Sequence, residues 1–246
     1  MKLRLENIGH AFLGRTVIEG MDLSLAAGEI VALVGPSGCG KTTLMQIASG
    51  LVVPLRGRVH RAYRRHAMVF QEPRLLPWLT ARDNIAYGLA CAGTPRRHRR
   101  EIAAARAREV GLDADDLDKF PAELSGGMRQ RAAVARALAV EPDVVFLDEP
   151  FSAVDVGLRR MLQDHLAQAA AREGFCALFV THDLGEAARI ADRLVVLSAR
   201  RRGIVDLRAV PGRPGARDER FVFDLVAAWS REEAFAELLD GAGRLQ

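Results

Sequence analysis

The sequence predicts an α/β protein with a β-rich opening, a core of buried parallel strands and an inserted helical lobe. Three observations predict it. Gly35-Pro36-Ser37-Gly38-Cys39-Gly40-Lys41-Thr42 places G-x-x-x-x-G-K-[ST] between the apolar run Ile30 to Val34 and a helical pattern. That is the setting of a phosphate-binding loop after a buried strand. Two later apolar runs end in Asp148-Glu149 and in His182, and open α/β sheets carry ligand-binding groups at such carboxyl ends. Between the phosphate loop and these two runs, from Asp83 to about Ala139, the composition turns to Ala, Arg and Glu broken by short turn clusters, which reads as helices.

The opening alternates over Leu3 to Ile8 and again over Val17 to Leu25, a strand pattern. Phe12 lies between the two; it reads equally as a ring that stacks on a purine and as a core phenylalanine. In the phosphate loop the backbone N–H groups and the start of the next helix face the anion. Lys41 then reaches the β- and γ-phosphates, and the Thr42 hydroxyl is placed to ligate magnesium. Cys39 within the loop is expected to report on occupancy through its reactivity with thiol reagents.

Gly57 to Val59 and Ala67 to Phe70 follow as short strands, the second ending at Gln71, which reads as a metal or water ligand or as a solvated loop residue. Glu72 to Thr80 is apolar and bounded by prolines without helix or strand periodicity, so Leu75, Leu76 and Trp78 face a partner or pack under a lobe. Helices are expected over Asn84 to Ala90, Arg99 to Val110 and Arg129 to Ala139. Ser125-Gly126-Gly127 before the last of them is a second anion site of the helix-start type or a plain N-cap.

Asp148 and Glu149 end the strand Asp143 to Leu147, where two acids are too costly to bury and so face a site. Asp148 suits a magnesium ligand and Glu149 a general base. Leu158, Met161, Leu162, Leu166 and Ala169 keep helical spacing as core packing. The strand Cys176 to His182 ends in His; a lone strand-end His is more often structural, but a third polar group delivered to the same sheet edge favours a role at the γ-phosphate. A helix over Ala187 to Ala191 and a strand over Leu194 to Leu197 complete the regular pattern. Pro211 to Gly215 reads as a turn or linker before short amphipathic helices between Phe221 and Leu239.

At 246 residues and 49% hydrophobic the chain suits one large domain or one core with a smaller lobe. Three cysteines without metal-ligand spacing fit a reducing compartment. There is no apolar run long enough to span a bilayer, and the N-terminus enters a strand pattern directly, so residence in the cytosol is expected. The Arg runs at 96–100 and 200–202 lack interleaved aromatics and read as solvated rather than nucleic-acid-binding.

Taken jointly and in this order, the phosphate loop, Gln71, Leu124-Ser125-Gly126-Gly127, Asp148-Glu149, Ser152-Ala153-Val154-Asp155 and His182 resemble the ATP-binding cassette ATPases of transporters over roughly residues 2–205. The resemblance implies a P-loop fold with a mixed sheet core, an N-terminal antiparallel β subdomain and an α-helical subdomain. It divides the chain into 1–82 plus 140–205 as core, 83–139 as helical subdomain and 206–246 as a short helical tail. Gly35, Pro36, Ser37, Gly38, Cys39, Gly40, Lys41, Thr42 and Thr43 then form the Walker A motif, with Phe12 stacked on adenine. Ser125, Gly126, Gly127 and Gln130 belong to the signature, Asp155 to the D-loop, and Gln71 to the Q-loop; Thr42, Gln71 and Asp148 attend Mg²⁺. Met128, Val154 and Phe12 stand where Gln, Leu and Tyr are commoner.

The resemblance further implies two ATP bound between head-to-tail copies, each Ser125-Gly126-Gly127 covering the γ-phosphate held by the other copy. Glu149 acts as base, aided by Lys41, Gln71 and His182. The implied partners are a second copy, an integral membrane permease and, indirectly, a periplasmic or lipid-anchored solute-binding protein, with no nucleic acid. The implied place is the cytoplasmic side of the inner membrane, as a peripheral subunit. Gln71 to Thr80, Asp83 to Leu89 and Glu149 to Ala153 look like the ATPases of nitrate, sulfonate and taurine importers, in which the Leu75 to Trp78 region lies near the permease. The competing function, a soluble cassette ATPase on nucleic acid or ribosomes, usually carries a coiled-coil insertion or a second cassette, and this sequence has neither.

Overall fold

A computed structural model describes residues 1–242, so positions 243–246 of the expected tail lie outside the described residues. The chain runs β1 (Leu3–Phe12), β2 (Arg15–Leu25), β3 (Ile30–Val34), α1 (Lys41–Ser49), β4 (Arg56–Arg61) and β5 (His66–Val69). There follow α2 (Ala81–Ile85), α3 (Tyr87–Cys91), α4 (Arg96–Glu109) and α5 (Gly126–Ala139). Then come β6 (Val144–Asp148), α6 (Val156–Glu173), β7 (Cys176–Val180), α7 (Leu184–Ile190), β8 (Arg193–Ser198), β9 (Gly203–Ala209), α8 (Glu219–Trp229) and α9 (Ala236–Ala242).

β2-β1-β4 form an antiparallel sheet, and the second sheet has the order β5-β6-β7-β3-β8-β9. Its first five strands are parallel and β9 closes the edge antiparallel to β8, so the sheet is mixed. Every residue of β3, β6 and β7 is buried, because both faces are covered. The pleat sends alternate residues to opposite sides. Val31, Leu33, Phe146 and Leu178 pack with α1 and the antiparallel sheet, while Ile30, Ala32, Val145 and Phe179 pack with α5, α6 and α7. The strands bearing Gln71, Glu149 and His182 at or just past their carboxyl ends are therefore neighbours, β5-β6-β7.

The expected helix over Asn84 to Ala90 is two short helices, α2 and α3, meeting at Ala86. Thr80 caps α2, accepting from the Asp83 N–H at 3.2 Å, so the helix starts three residues earlier than the apolar pattern suggests. β9 is a strand that the pattern beyond Arg200 does not reveal. It sits at the edge, only partly covered, so its hydrophobic signal is weak. Pro211 to Gly215 is no free linker, since the Arg217 side chain clamps it to the core.

Candidate active site

β3 delivers the chain to Gly35 and α1 begins at Lys41, with the loop between them wrapped over the sheet edge. Gly35 adopts φ 156°, and a Cβ there would lie 2.5 Å from the Leu197 carbonyl oxygen and 2.8 Å from Cys39 Sγ. Only glycine fits that approach. Cys39 is 1% exposed, so its thiol points into the core beneath Gly35, and burial raises its pKa. This corrects the expectation of a thiol that reports on occupancy: a buried, protonated sulfur is inert, and Cys39 can meet a ligand only through its backbone. Lys41 is also buried, and its Nζ donates to the carbonyls of Gly35 at 2.6 Å and Pro36 at 2.9 Å. The ammonium is thus held across the loop mouth.

Thr42, the exposed second residue of α1, donates its hydroxyl to Asp148 Oδ1 at 3.2 Å. Asp148 is nearly buried, and burial pushes its carboxyl up, with the Glu149 charge acting the same way and Thr42 and Lys41 opposing. Hydroxyl, amide and carboxylate oxygens from Thr42, Gln71 and Asp148 are the hard donors a magnesium ion takes.

Glu149 follows β6 at φ 45°, the left-handed region that a non-glycine residue enters only under constraint. Its N–H donates to the Val180 carbonyl at 3.0 Å, and the Ser152 hydroxyl donates to its carbonyl at 3.1 Å. The turn aims the carboxylate between two neighbours: Gln71 Nε2 donates to it at 3.2 Å, and His182 Nδ1 lies 3.3 Å away. The ends of β5, β6 and β7 thus converge on one acid.

Phe12 ends β1 about half exposed, with the His10 ring edge-on at 4.7 Å between centroids. Ser125 caps α5, accepting from the Met128 N–H at 3.2 Å. Among the described residues no hydrogen bond joins Ser125, Gly126 or Gly127 to the Gly35–Thr43 loop. Gly127 lies instead against Ala153 and Val154, just before the exposed Asp155 at the start of α6. Gln130, grouped with the nucleotide contacts by resemblance, is fully buried and donates to the Phe70 carbonyl at 3.3 Å. It faces inward from α5 and ties that helix to the β5 end, one residue before Gln71.

Sequence reasoning passes over the residues that hold these groups. Asn84, fully buried, accepts from the Leu76 N–H at 2.7 Å and donates to the carbonyls of Leu76, Leu79 and Thr80. Arg136 donates to the carbonyls of Pro73 and Arg74. Together they pin the proline-bounded loop with Trp78 70% exposed. A polar residue inside the apolar stretch Asn84-Ile85-Ala86 is the one signal that points to such a role.

The family model described as ABC transporter matches residues 18–152. The chain is 46% identical over 238 residues to "Aliphatic sulfonates import ATP-binding protein SsuB 1" of Pseudomonas syringae pv. syringae, covering 97% of this chain and 95% of that one. It is 42% identical over 202 residues to "Fe(3+) ions import ATP-binding protein FbpC" of Rhizobium etli, covering 78% of this chain and 57% of the other. Among solved structures, the dimeric bacterial ABC transporter cassette MJ0796 superposes with a TM-score of 0.78 at 27% identity, over 85% of this chain and 99% of that one. A dimeric post-hydrolysis state of the same cassette, bound to ADP and Pi, gives 0.76 at 26% identity over the same shares.

Proposed function

This chain belongs to the ABC transporter family as an ATP-hydrolysing import subunit, and from that premise we propose that two head-to-tail copies energise a permease for aliphatic sulfonates. The observation that carries the mechanism is the Glu149 carboxylate gripped by Gln71 and His182, on the same sheet edge as Lys41, Thr42 and Asp148.

An incoming triphosphate competes with neutral carbonyls for Lys41, and the exchange is favourable because a charge-assisted bond to phosphate outweighs a bond to a carbonyl. The loop N–H groups and the start of α1 complete the cradle, with Phe12 as a platform for the base. Thr42, Gln71 and Asp148 would hold Mg²⁺. When bound, the ion neutralises charge on the β- and γ-phosphate oxygens. Glu149 takes the proton of the attacking water, its backbone fixed by Val180 and Ser152 so that the carboxylate need not reorganise. His182 and Gln71, released from Glu149, orient that water and the terminal phosphate.

Ser125, Gly126 and Gly127 act on the second copy's triphosphate, with Asp155 at the same face. This is consistent with their lack of bonds to the phosphate loop of their own chain. We place the protein peripherally on the cytoplasmic side of the inner membrane, coupled through the permease to a solute-binding protein. No helix among the described residues is long and apolar enough to cross a membrane. The division into core, helical subdomain at 83–139 and tail is part of this proposal; α4 and α5 pack on one another and on α2 within that span.

Glu149→Gln tests the chemistry. Hydrolysis is expected to fall roughly 10²-fold or more while ATP traps a dimer visible by size exclusion, and near-normal turnover would remove Glu149 from the role of base. Sulfonate-stimulated ATPase in vesicles with the cognate permease and binding protein tests the solute; stimulation by a different solute class instead refutes it.

A further inference from the structure

We propose that Arg159, Glu186 and Thr181 are positioning residues that join the Gly127 helix start to the His182 loop within one chain, so that the state of one ATP site sets the alignment of catalytic groups at the other. The proposal rests on the head-to-tail reading, because only in that arrangement do the two ends of the link belong to different sites.

The link is continuous in contacts. A Cβ on Gly127 would lie 3.2 Å from the Ala153 carbonyl oxygen and 3.8 Å from Val154 Cα, so the α5 start rests directly on the segment before α6. Val154 is buried and its carbonyl accepts from Arg159 Nη2 at 3.1 Å. The Nε of the same guanidinium is buried without a hydrogen-bond partner among the described residues and stands 4.0 Å from Glu186 Oε1. Glu186, 7% exposed, accepts from the Thr181 hydroxyl at 2.7 Å through its other oxygen. Thr181 in turn accepts from the Asp183 N–H at 3.0 Å. Its hydroxyl therefore spans His182, whose ring lies 3.3 Å from the Glu149 carboxylate.

Packing alone does not call for these groups. α7 already has its N-cap, since Asp183 Oδ1 accepts from the N–H groups of Gly185 and Glu186. A nearly buried acid held by one hydroxyl and an arginine at 4.0 Å is an expensive way to fill space. The spacing between Arg159 Nε and Glu186 is the informative feature. It is one ångström too long for a good hydrogen bond, so a small movement of the 152–155 segment toward α7 closes it and a movement away opens it. Engagement of Gly126-Gly127 by the partner's nucleotide presses on that segment. The displacement passes through Arg159 and Glu186 to the Thr181-His182-Asp183 backbone.

The test uses the full chain with Arg159→Met, Glu186→Gln and Thr181→Val, plus the double variant Arg159→Met/Glu186→Gln and the conservative Thr181→Ser. Each is measured for kcat, KM and Hill coefficient for ATP, and for thermal midpoint. The expected result is a loss in kcat of about two- to thirtyfold with KM and thermal midpoint unchanged and a Hill coefficient moved toward unity. The double variant should be no slower than the slower single, because one link is broken twice, and Thr181→Ser should restore wild-type behaviour. Multiplying losses in the double variant, or losses that follow the thermal midpoint, overturn the link. The Glu149→Gln chain separates the two levels: if it stays monomeric with ATP, the head-to-tail reading fails and the link with it. An ATP-trapped dimer whose link variants keep the wild-type kcat and Hill coefficient overturns the link alone.

Discussion

Arg217→Met is the perturbation whose cost the structure lets us work out in most detail. Arg217 is 5% exposed, and its guanidinium donates to five backbone carbonyls: Pro211 at 2.9 Å, Ala188 at 2.9 Å, Ala191 at 2.7 Å, Val210 at 3.0 Å and Gly212 at 2.7 Å. A guanidinium has five N–H donors, so every one has a partner. Among the described residues no carboxylate bonds to it; burial lowers its pKa, with the Asp192 charge partly opposing. Two of the acceptors are at the end of α7, and the others lie at the end of β9 and in the turn beyond it. One side chain thus rivets the tail to the helix that follows His182.

Methionine fills similar volume and donates nothing. Charge-assisted hydrogen bonds are worth about 1.5–3 kcal/mol each, but their sum overshoots, because the variant also escapes the desolvation of a buried charge. The variant leaves neutral carbonyls without donors, at about 1–3 kcal/mol for each that solvent does not reach, so with the escaped desolvation set against them a net loss of about 3–5 kcal/mol is expected. For a chain of this size each kcal/mol moves the midpoint by roughly 2–4 °C, so circular dichroism should show a drop of roughly 10 °C. Hydrogen exchange should rise over 211–229 before the rest of the chain. Arg217→Lys, with three donors instead of five, should recover part of the loss. If Arg217→Met melts with the wild type, the five carbonyls are satisfied by solvent and the rivet is not a source of stability.

Gly35→Ala should cost about 1–3 kcal/mol by overpacking, since the new methyl group meets the Leu197 carbonyl at 2.5 Å. It should also abolish ATP binding by shifting the loop backbone whose N–H groups cradle the phosphates; wild-type affinity in a nucleotide titration refutes this. Asp143 accepts from Lys2 Nζ at 2.8 Å and from the N–H groups of Arg64 and Arg65, which hold its carboxyl well below the usual carboxylate range. A depressed folded pKa contributes stability above the unfolded value, about 3.9, and loses it as pH falls toward the folded value. Asp143→Asn should therefore melt about 4–8 °C lower than wild type at pH 7, for a loss of about 2 kcal/mol, and the gap should begin to narrow below about pH 4 and close only toward the folded value. A gap that stays constant down to pH 3 counts against it. Trp78→Ala should weaken co-purification with the permease while leaving the basal ATPase of the isolated chain intact; unchanged co-purification removes Trp78 from the docking surface.

The legible parts of this molecule are those in which a local pattern and a function coincide. β3 has the expected bounds and β7 starts where expected, at Cys176, but ends at Val180, two residues before His182; a continuous branched run marks a strand covered on both faces. The polar residue past each such run then identifies a site edge without knowledge of any contact. Cys39 shows where that reasoning stops: the motif assigns it to the loop, but whether its thiol faces ligand or core depends on how closely Gly35 approaches it and Leu197. Gln130 fails for the same reason, since its partner Phe70 lies on another element. Periodicity across α5 records that one face is apolar and not that a single amide on it must meet a distant carbonyl.

Arg159 and Glu186 extend the point to mechanism. Alone, each reads as a surface charge on a helix, one on α6 and one on α7, and nothing in their spacing says that Glu186 is buried with the half-buried Arg159 beside it. Pairing across elements decides it, and pairing is where coupling between sites has to reside. A group that touches nucleotide can be placed by the end of its own strand, whereas a group that transmits must touch two elements at once. The strand ends therefore disclose the chemistry early. What makes that chemistry answer to a second nucleotide is carried by contacts such as the 4.0 Å gap between Arg159 and Glu186, which no run of residues encodes.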